Sequence, residues 1–378
     1  MEKRHIKQFG KDISLLGFGC MRLPLLDPED QKSIDYPLGE AMVDRAVAAG
    51  VNYFDTAFMY HLGGSEAFIG HALRKYPRAS VYLADKLPVW HVKTPGDVDS
   101  LFAKQLERCG VSYFDFYLAH SLTRDYYRIF REQDVYAKLL RKKEEGLIRH
   151  LGFSFHDNAD MLREILADHD WDFVQIQLNY IDWEACDAKT LYAILAERDI
   201  PVVIMEPLRG GALANLAGKA EALLKAADPT ASPASWALRY AASLPRVMTV
   251  LSGMSAMEQV EDNIKTMTPF RPLSEAGRAV VEQAAAACRA AGAIPCTGCR
   301  YCMEDCPSGV GIPQMIAMYN HYLAGKTKIH FTNNYKTLKE GERAHNCTAC
   351  GLCVERCPQG IAIPDHLREI AAFVAGKE

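Results

Sequence analysis

The sequence has no long apolar run and no surplus of positive charge. No stretch approaches the roughly 18 consecutive apolar residues of a membrane-spanning helix, and the opening "MEKRHIKQFGKD" lacks the apolar core of a secretory signal peptide. The formal net charge of −4 gives no electrostatic footprint for nucleic acids or anionic membranes. We therefore expect a cytoplasmic protein without nucleic-acid or membrane partners.

Two cofactor signatures are also missing. No GxGxxG follows the first strand candidate, "ISLLGFGC", which argues against a doubly wound open sheet built around a dinucleotide. No flavin-binding motif is recognisable. Cysteine, by contrast, is abundant: the chain has 12, and most of them fall into two short motifs near its end. This grouping indicates metal or cluster ligands rather than the disulfides of a secreted protein.

The chain alternates strand-like and helix-like segments over most of its length. Its 378 residues exceed the size at which single hydrophobic cores usually stop growing, so we expect one large and one small domain. Strands that alternate with helices indicate βαβ units and a parallel sheet. The successive strand candidates are "ISLLGFGC", "VNYFDTA", "SVYLADK", "YFDFYLAH", "IRHLGFS", "WDFVQIQLNY", "PVVIMEP" and "VMTVLS". We predict an α/β fold, a (β/α)8 TIM barrel, over residues 1–272.

Four residues that carry acid–base chemistry lie at or just after the ends of three of these strands. They are Asp55, Tyr60, Lys86 and His120. In a parallel barrel such positions share one mouth, where the chemistry occurs. A nearby ammonium favours phenolate and so lowers the pKa of a tyrosine, which predicts that Lys86 activates Tyr60 as a proton donor. His120 could then donate a hydrogen bond to a substrate carbonyl oxygen.

These residues match a known pattern. Residues 1 to about 270 resemble the aldo/keto reductase superfamily, whose catalytic Asp, Tyr, Lys and His correspond to Asp55, Tyr60, Lys86 and His120, and whose flanking motifs resemble "GFGCMRLP" and "GGSEAFIGHAL". The resemblance implies a barrel that binds a nicotinamide dinucleotide, NADP or NAD, without a Rossmann motif. It also implies a small-molecule carbonyl or alcohol substrate.

The same resemblance implies where the cofactor binds. Ser154 and Gln175 would hold the carboxamide, the "PLRGGAL" segment would pass near the pyrophosphate, and the "LSGMSAMEQVEDN" segment would face the adenine. From these two segments the implied contact residues are Pro207, Leu208, Gly210, Gly211, Ser252, Gly253, Gln259 and Asn263. The sequence departs from the family at Met205, where an aromatic side chain often stacks on nicotinamide. It departs again at the positions where family members often use cationic side chains to bind a 2′-phosphate. The identity of the cofactor therefore stays open between NADP, NAD and a flavin (FMN or FAD).

The repeated cysteine motifs are "CTGCRYCMEDCP", beginning at Cys296, and "CTACGLCVERCP", beginning at Cys347. Both have the CxxCxxCxxxCP spacing of bacterial [4Fe–4S] proteins, in which the fourth cysteine of each run binds the other cluster. A zinc site needs four ligands rather than eight in this rhythm. We therefore predict two clusters. The predicted ligand sets are Cys296, Cys299, Cys302 and Cys357 for one cluster, and Cys347, Cys350, Cys353 and Cys306 for the other.

A helical linker over residues 273–294 and a small iron–sulfur domain over 295–378 complete the predicted organisation. The apolar face of the linker is predicted to dock on the barrel. The segment between the motifs reads as helical, so this region resembles the expanded helical form of the bacterial ferredoxin domain. One-electron clusters and two-electron hydride chemistry need a converter between them, and flavin is the commonest one.

Three functions follow as hypotheses. The first is an oxidoreductase that interconverts a carbonyl and an alcohol with a nicotinamide cofactor, uses Tyr60 as general acid and base, and carries a fused electron-transfer domain. The second is a flavin-linked or ferredoxin-dependent oxidoreductase whose active site is the barrel, with a ferredoxin or flavoprotein as redox partner. The third is an electron-transfer subunit or redox sensor in which the barrel is a scaffold. In any of these, the clusters could also serve only to hold the small domain together.

Overall fold

The computed structural model describes residues 1–28, 30–290, 292–323 and 328–376. It contains two compact units. One comprises Met1–Pro207 and Ala237–Leu273, and the other comprises Leu208–Trp236 and Ser274–Glu378. The sequence alone assigns Leu208–Trp236 to the barrel, whereas the structure groups this segment with the cysteine motifs. The predicted linker and iron–sulfur domain also include Ala291, 324–327 and 377–378, which lie outside the described residues.

The first unit is built on a closed parallel barrel, as predicted. Its eight strands follow the order β10-β3-β4-β5-β6-β7-β8-β9, so neighbouring strands are consecutive in the chain except where the barrel closes. All eight strand candidates are confirmed. The strands of this unit are β1 Lys3–Ile6, β2 Lys11–Ser14, β3 Leu16–Gly19, β4 Tyr53–Asp55, β5 Tyr82–Leu87, β6 Phe114–Leu122, β7 Ile148–Phe155, β8 Phe173–Gln177, β9 Val202–Met205 and β10 Val247–Gly253.

Amphipathic helices connect the strands. In α3, Thr94 and Asp97 form a capping box at the start, and Gly110 ends the helix in the left-handed region at φ +61°. The helices up to the last barrel strand and just beyond it are α1 Tyr36–Ala48, α2 Gly64–Leu73, α3 Pro95–Cys109, α4 Arg124–Glu132, α5 Val135–Glu144, α6 Ala159–Asp168, α7 Asp182–Ala185, α8 Ala188–Glu197, α9 Gly218–Ala227, α10 Pro233–Ala242 and α11 Met257–Met267.

An antiparallel hairpin of β1 and β2, which the sequence analysis does not anticipate, closes the amino-terminal end of the barrel. Ile13 belongs to the same buried cluster as Tyr53 and Phe116, and Phe9 packs against that cluster. The Phe9 ring centroid lies 5.7 Å from Phe116 and 4.1 Å from His150. Because apolar side chains fill this end, only the carboxyl ends of the strands remain available for a site.

The second unit is helical, as predicted. Its elements are α9, α12 Glu275–Ala290, α13 Ile312–Leu323, α14 Lys328–Thr337, α15 Leu352–Glu355 and α16 Ile363–Val374. Helix α12 packs against α9, so the predicted linker has its partner within this unit. Met315, Phe331, Ile363 and Ile370 contribute to the buried core. Among the described residues, no helix is long and apolar enough to cross a membrane.

Candidate functional site

Four titratable side chains lie together at the carboxyl ends of neighbouring barrel strands. Asp55 ends β4, Lys86 lies near the end of β5, and His120 lies near the end of β6. Tyr60 begins a short 3-10 turn after β4. All four are buried: Lys86 is 0% exposed and Tyr60, the most accessible, 9%. The strand-end rule therefore identifies side chains that the fold brings together in one buried cluster.

Lys86 is at the centre of this group. Its Nζ donates hydrogen bonds to Asp55 Oδ1 at 2.6 Å, to the Thr56 carbonyl oxygen at 2.7 Å and to the Tyr60 hydroxyl at 3.3 Å. The same atom lies 4.8 Å from the centroid of the Tyr60 ring. A buried cation needs such partners to offset the loss of its hydration. Asp55 therefore orients Lys86 toward the phenol.

The pKa of Tyr60 differs from what the sequence suggests. Burial, followed by the negative charges of Asp55 and Glu206, raises the pKa of the phenol well above its ordinary value. The net pKa in the resting site is therefore raised and not lowered as expected from Lys86, because burial is the largest influence on it. Tyr60 consequently holds its proton at neutral pH. The nearby Lys86 charge can still stabilise the phenolate when that proton leaves.

His120 is buried as a neutral imidazole. Burial, reinforced by the positive charges of Lys86 and His156, lowers its pKa well below the ordinary value. Its ring stands edge-on to Tyr60, with centroids 6.1 Å apart at an interplanar angle of 84°. A neutral imidazole can donate one N–H without placing a second cation beside Lys86. The arrangement is suited to polarising an oxygen near the phenol.

One aromatic side chain beside these four residues is not predicted from the sequence. Trp90 lies in the 3-10 turn Val89–His91 just after β5, and its ring centroid is 5.1 Å from His120 and 5.5 Å from Tyr126. The available signal was position: a tryptophan three residues after the end of β5 falls at the mouth of a barrel. Trp90 restricts the volume next to the His120 imidazole.

Ser154 and Gln175, the predicted carboxamide contacts, lie side by side. They are register partners on β7 and β8. Ser154 Oγ accepts a hydrogen bond from the Ser121 amide at 2.7 Å, and Gln175 Nε2 donates to Met205 Sδ at 3.4 Å. Gln175 Oε1 is buried with no hydrogen-bond partner among the described residues. This unsatisfied acceptor fits an amide N–H₂ such as that of nicotinamide, which would remove the cost of its burial.

The predicted adenine-end residues form a hydrogen-bonded corner after β10. Asn263 Nδ2 donates to Ser252 Oγ at 2.9 Å, and both side chains are buried. Gln259, which is exposed, accepts a hydrogen bond from the Ser255 amide at 2.8 Å. Ser255 Oγ in turn donates to the carbonyl oxygen of Arg22 at 2.8 Å. The turn after β10 is thereby fixed to the turn after β3.

The Arg22 side chain extends from this corner toward β9. A Cβ at Gly253 would lie 3.2 Å from Arg22 Cβ and Cγ, so the absence of a side chain lets the arginine pass. The Arg22 guanidinium forms an ion pair with Glu206 at 3.8 Å, next to the buried Pro207. Glu206 also contributes to the raised pKa of Tyr60. The Glu206 carboxylate therefore lies close enough to influence the Tyr60 phenol.

The other predicted pyrophosphate-loop residues lie in the second unit. Arg209–Gly211 forms a 3-10 turn, with Gly210 at φ +66° and Gly211 at φ +93°. A Cβ at Gly210 would lie 1.9 Å from the carbonyl oxygen of Thr297, the residue after the first cysteine of the first motif. The segment after β9 therefore packs backbone to backbone against the first cysteine motif, which requires glycine at this position.

Gly210→Ala should lower the thermal stability of the second unit in cluster-loaded protein. The new methyl group would collide with the Thr297 backbone in addition to straining a positive φ, so we expect a loss of about 2 kcal/mol or more. Gly292→Ala is the matched control, since Gly292 has φ +68° and no atom within 4 Å of its Cβ position. Anaerobic thermal unfolding measures both. Equal midpoint shifts in the two variants would contradict the contact.

The cysteines of the predicted first ligand set surround one cavity. Cys296, Cys299 and Cys302, from the first motif, line it together with Cys357, the last cysteine of the second motif. Apolar side chains, Ile312 among them, contribute to the lining together with Thr297, Arg300 and Gln359. Four sulfur donors in such a cavity suit an iron–sulfur cluster, whose potential depends on burial and on hydrogen bonds to sulfur.

The other four motif cysteines also lie near one another. Burial, followed by the charges of neighbouring thiols that include Cys347, Cys350 and Cys306, raises the pKa of Cys353. Among the described residues, no three His, Cys, Asp or Glu side chains converge closely enough to hold a single metal ion. The first expected set thus lines one cavity, and Cys306 lies close enough to Cys353 to influence its pKa.

Comparison with known families and structures agrees with this geometry. The sequence model of the aldo/keto reductase family matches residues 15–284, and that of a 4Fe-4S dicluster domain matches residues 295–362. Among solved structures, an aldo-keto reductase from Bacillus halodurans in its holo form is 24% identical, with a TM-score of 0.59 over 75% of this chain and 96% of that one. An aldo-keto reductase from Klebsiella pneumoniae in complex with NADPH is 21% identical, with a TM-score of 0.61 over 75% and 95%. At these identities the likeness shows the fold.

Curated relatives are oxidoreductases. The NADH-specific methylglyoxal reductase of Escherichia coli is 28% identical over 262 residues, which cover 58% of this chain and 79% of the relative. The uncharacterized oxidoreductase YqkF of Bacillus subtilis is 26% identical over 305 residues, 73% of this chain and 94% of the relative. With the matching family model extending over most of the chain, and the buried Asp, Tyr, Lys and His at the barrel mouth, this protein belongs to the aldo/keto reductase family and carries a 4Fe-4S dicluster domain in the same chain.

Proposed function

We propose that this protein interconverts a small carbonyl compound and its alcohol with NADH or NADPH, with Tyr60 as the general acid and base. The observation that carries the proposal is the set of hydrogen bonds from Lys86 Nζ, at 2.6 Å to Asp55 and 3.3 Å to the Tyr60 hydroxyl. Carbonyl reduction needs a hydride on carbon and a proton on oxygen. Tyr60, protonated at neutral pH, is positioned to deliver the proton.

Each residue of the group has a separate part in this proposal. Tyr60 gives its proton to the developing alkoxide, and Lys86 stabilises the phenolate that remains. Asp55 holds the Lys86 side chain in this direction through its 2.6 Å hydrogen bond. His120, neutral because of burial, donates a hydrogen bond to the same carbonyl oxygen and aligns it with the phenol. In the alcohol-oxidising direction Tyr60 takes the proton back.

A nicotinamide cofactor would supply the hydride. Ser154 and the unpaired Gln175 Oε1 would hold its carboxamide, with Ser252, Gly253, Gln259 and Asn263 toward the adenine and Pro207, Leu208, Gly210 and Gly211 along the pyrophosphate. The Escherichia coli relative is described as NADH-specific and two of the Klebsiella pneumoniae structures contain NADPH or NADP, so both forms are candidates. Methylglyoxal, the substrate in that relative's name, is a reasonable first carbonyl to test.

The cysteine motifs would hold two [4Fe–4S] clusters, one in each set of four thiols, within a domain that we place at residues 295–378 after a linker at 273–294. These centres supply one-electron transfer, whereas a nicotinamide passes two electrons as a hydride. The barrel over residues 1–272 needs a converter if the clusters take part in turnover. We keep FMN or FAD, bound in the barrel groove or on a flavoprotein partner, as the alternative cofactor on this ground alone.

The test mixes anaerobic, flavin-free protein with NADH or NADPH, with and without methylglyoxal. We expect methylglyoxal-dependent oxidation of one of the two nicotinamides, because the Lys86 group is complete without any further centre. We expect the cluster absorbance to bleach only when FMN or FAD is added, because a hydride cannot enter a cluster directly. Stopped-flow absorbance separates nicotinamide oxidation from cluster reduction.

The outcomes separate the hypotheses. Absence of nicotinamide oxidation across a panel of aldehydes and ketones would reject the proposed activity. Cluster bleaching by nicotinamide alone would reject the need for a flavin converter. If the clusters bleach under none of these conditions but dithionite reduces them, the result would favour clusters that serve the structure or a different partner.

A further inference from the structure

The two cysteine motifs are near copies, which permits an internal comparison. In the first copy the Gly298 amide donates to Cys296 Sγ at 3.4 Å, and in the second the Ala349 amide donates to Cys347 Sγ at the same distance. The ligand loops of both copies therefore start with the same backbone arrangement. Differences in their surroundings can then be assigned to the rest of the fold rather than to the loops themselves.

The first copy is covered. Thr297 is 3% exposed, because its backbone lies against the turn that contains Gly210. Tyr301 and Met303, later in the same copy, are partly buried. The loop that carries the first cysteines is thereby packed against the segment that follows the seventh barrel strand in the chain, β9.

In the second copy the equivalent positions are exposed to solvent. Thr348, which corresponds to Thr297, is exposed, and so is Cys350. Leu352 is 41% exposed and Val354 37% exposed, although they correspond to the partly buried Tyr301 and Met303. Cys350, an expected cluster ligand, is therefore exposed close in the chain to two exposed apolar side chains, and exposed apolar groups that lie together mark interaction sites.

Two arginines that flank this segment in the chain form ion pairs within the domain: Arg343 with Glu340, and Arg356 with Asp305 at 2.5 Å. Glu355, between Val354 and Arg356, is exposed. The surface therefore combines apolar side chains with an acidic side chain beside them. Electron-transfer partners typically use small, weak interfaces of this kind, below about 1,200 Å².

We propose that Thr348, Ala349, Cys350, Leu352 and Val354, which we call the second-copy surface, form the docking site for a small one-electron carrier protein. The carrier gives one electron to the cluster of Cys347, Cys350, Cys353 and Cys306, and the carrier is oxidised by one electron as that cluster is reduced. The electron then passes to the cluster of the covered first copy. Two such transfers load two electrons, the number carried by one hydride.

The carrier is identified by chemistry. Only a donor whose own redox centre reaches its surface can approach the exposed Cys350 closely, and proteins that carry one electron at a time are built in this way. The inference rests on the proposed function only in giving the clusters a redox role. Its test contains neither nicotinamide nor carbonyl substrate, so its failure is distinguishable from failure of the barrel chemistry.

The experiment compares Leu352→Asp with Ile329→Asp in cluster-loaded, anaerobic protein. Ile329 is 73% exposed in the same domain but outside both motifs, which makes it a matched control. Reduced flavodoxin and a reduced bacterial ferredoxin serve as protein donors, and methyl viologen radical serves as a small donor that needs no docking. We expect Leu352→Asp to slow reduction by at least one protein donor about tenfold or more, since buried anchors dominate interface energies. Reduction by methyl viologen should stay within about twofold.

Val354→Asp is a second variant in case Leu352→Asp loses iron, and iron content is measured for each preparation. A slowing specific to protein donors in Leu352→Asp or Val354→Asp, absent in Ile329→Asp, supports the second-copy surface. Equal rates in all variants would overturn it. So would failure of both protein donors to reduce unsubstituted protein that methyl viologen reduces, or an equal slowing of methyl viologen and protein donors in variants that retain full iron.

Discussion

Tyr60→Phe should abolish most carbonyl reduction, lowering kcat by about 100-fold or more, the usual scale for loss of a general acid. The substitution removes only the hydroxyl that Lys86 Nζ contacts at 3.3 Å. The phenyl ring would still fill the buried space, and Gln175, Ser154 and their neighbours are unchanged. Nicotinamide affinity, measured by fluorescence titration, should therefore stay within about twofold of the unsubstituted protein while turnover falls.

Tyr53→Phe is the matched control for this prediction. Tyr53 is a fully buried tyrosine on β4 whose hydroxyl has no hydrogen-bond partner among the described residues. Its substitution removes the same atom at the closed end of the barrel, and we expect near-normal turnover. Lys86→Met should resemble Tyr60→Phe, because it removes the cation that stabilises the phenolate. Near-normal turnover of Tyr60→Phe would show that another group supplies the proton.

Paired cysteine substitutions should reveal which thiols share a cluster. Cys357 lines the same cavity as Cys296, so Cys357→Ala combined with Cys296→Ala should cost only one cluster and leave about four irons per chain. Cys357→Ala combined with Cys347→Ala removes one ligand from each of the two predicted clusters and should leave almost no iron. Iron analysis and the anaerobic visible spectrum measure the difference.

Ligation within each run would reverse this pattern. In that case Cys357 and Cys347 would share a cluster, and their double variant would be the one to retain about four irons. Cys288→Ala serves as control, because Cys288 is a partly buried cysteine outside both motifs. Full iron content in Cys288→Ala shows that the losses follow from the ligand positions and not from the removal of a thiol as such.

The sequence predicts the barrel and much of its chemistry because both depend on local pattern. Strand and helix periodicity yields the eight barrel strands, and the strand-end rule brings Asp55, Lys86 and His120 to one mouth. The cysteine spacing predicts the cluster motifs in the same way. In these cases the relevant signal lies within a few residues along the chain.

Other features depend on contacts between distant residues or on burial, which local pattern does not encode. Gly210 and Thr297 are far apart in the chain but in close contact in the structure. Leu208–Trp236 therefore belongs to the second unit, and this grouping cannot be predicted from periodicity. The pKa of Tyr60 rises chiefly because the phenol is buried, and burial is known only once the barrel closes. The hairpin of β1 and β2 closes the amino-terminal end of the barrel because Phe9 packs against a buried cluster of residues that are distant in the chain.

The ion pair between Asp305 and Arg356 has a consequence for how domains from different chains meet. The two residues occupy equivalent positions in the two motif copies, so each copy contributes one charge of the pair. If like copies from two chains paired instead, Asp305 would face Asp305, or Arg356 would face Arg356. Like charges at that distance repel, and such a dimer would lose an attractive contact. Divergence at this one pair of positions therefore favours pairing of unlike copies over pairing of like copies.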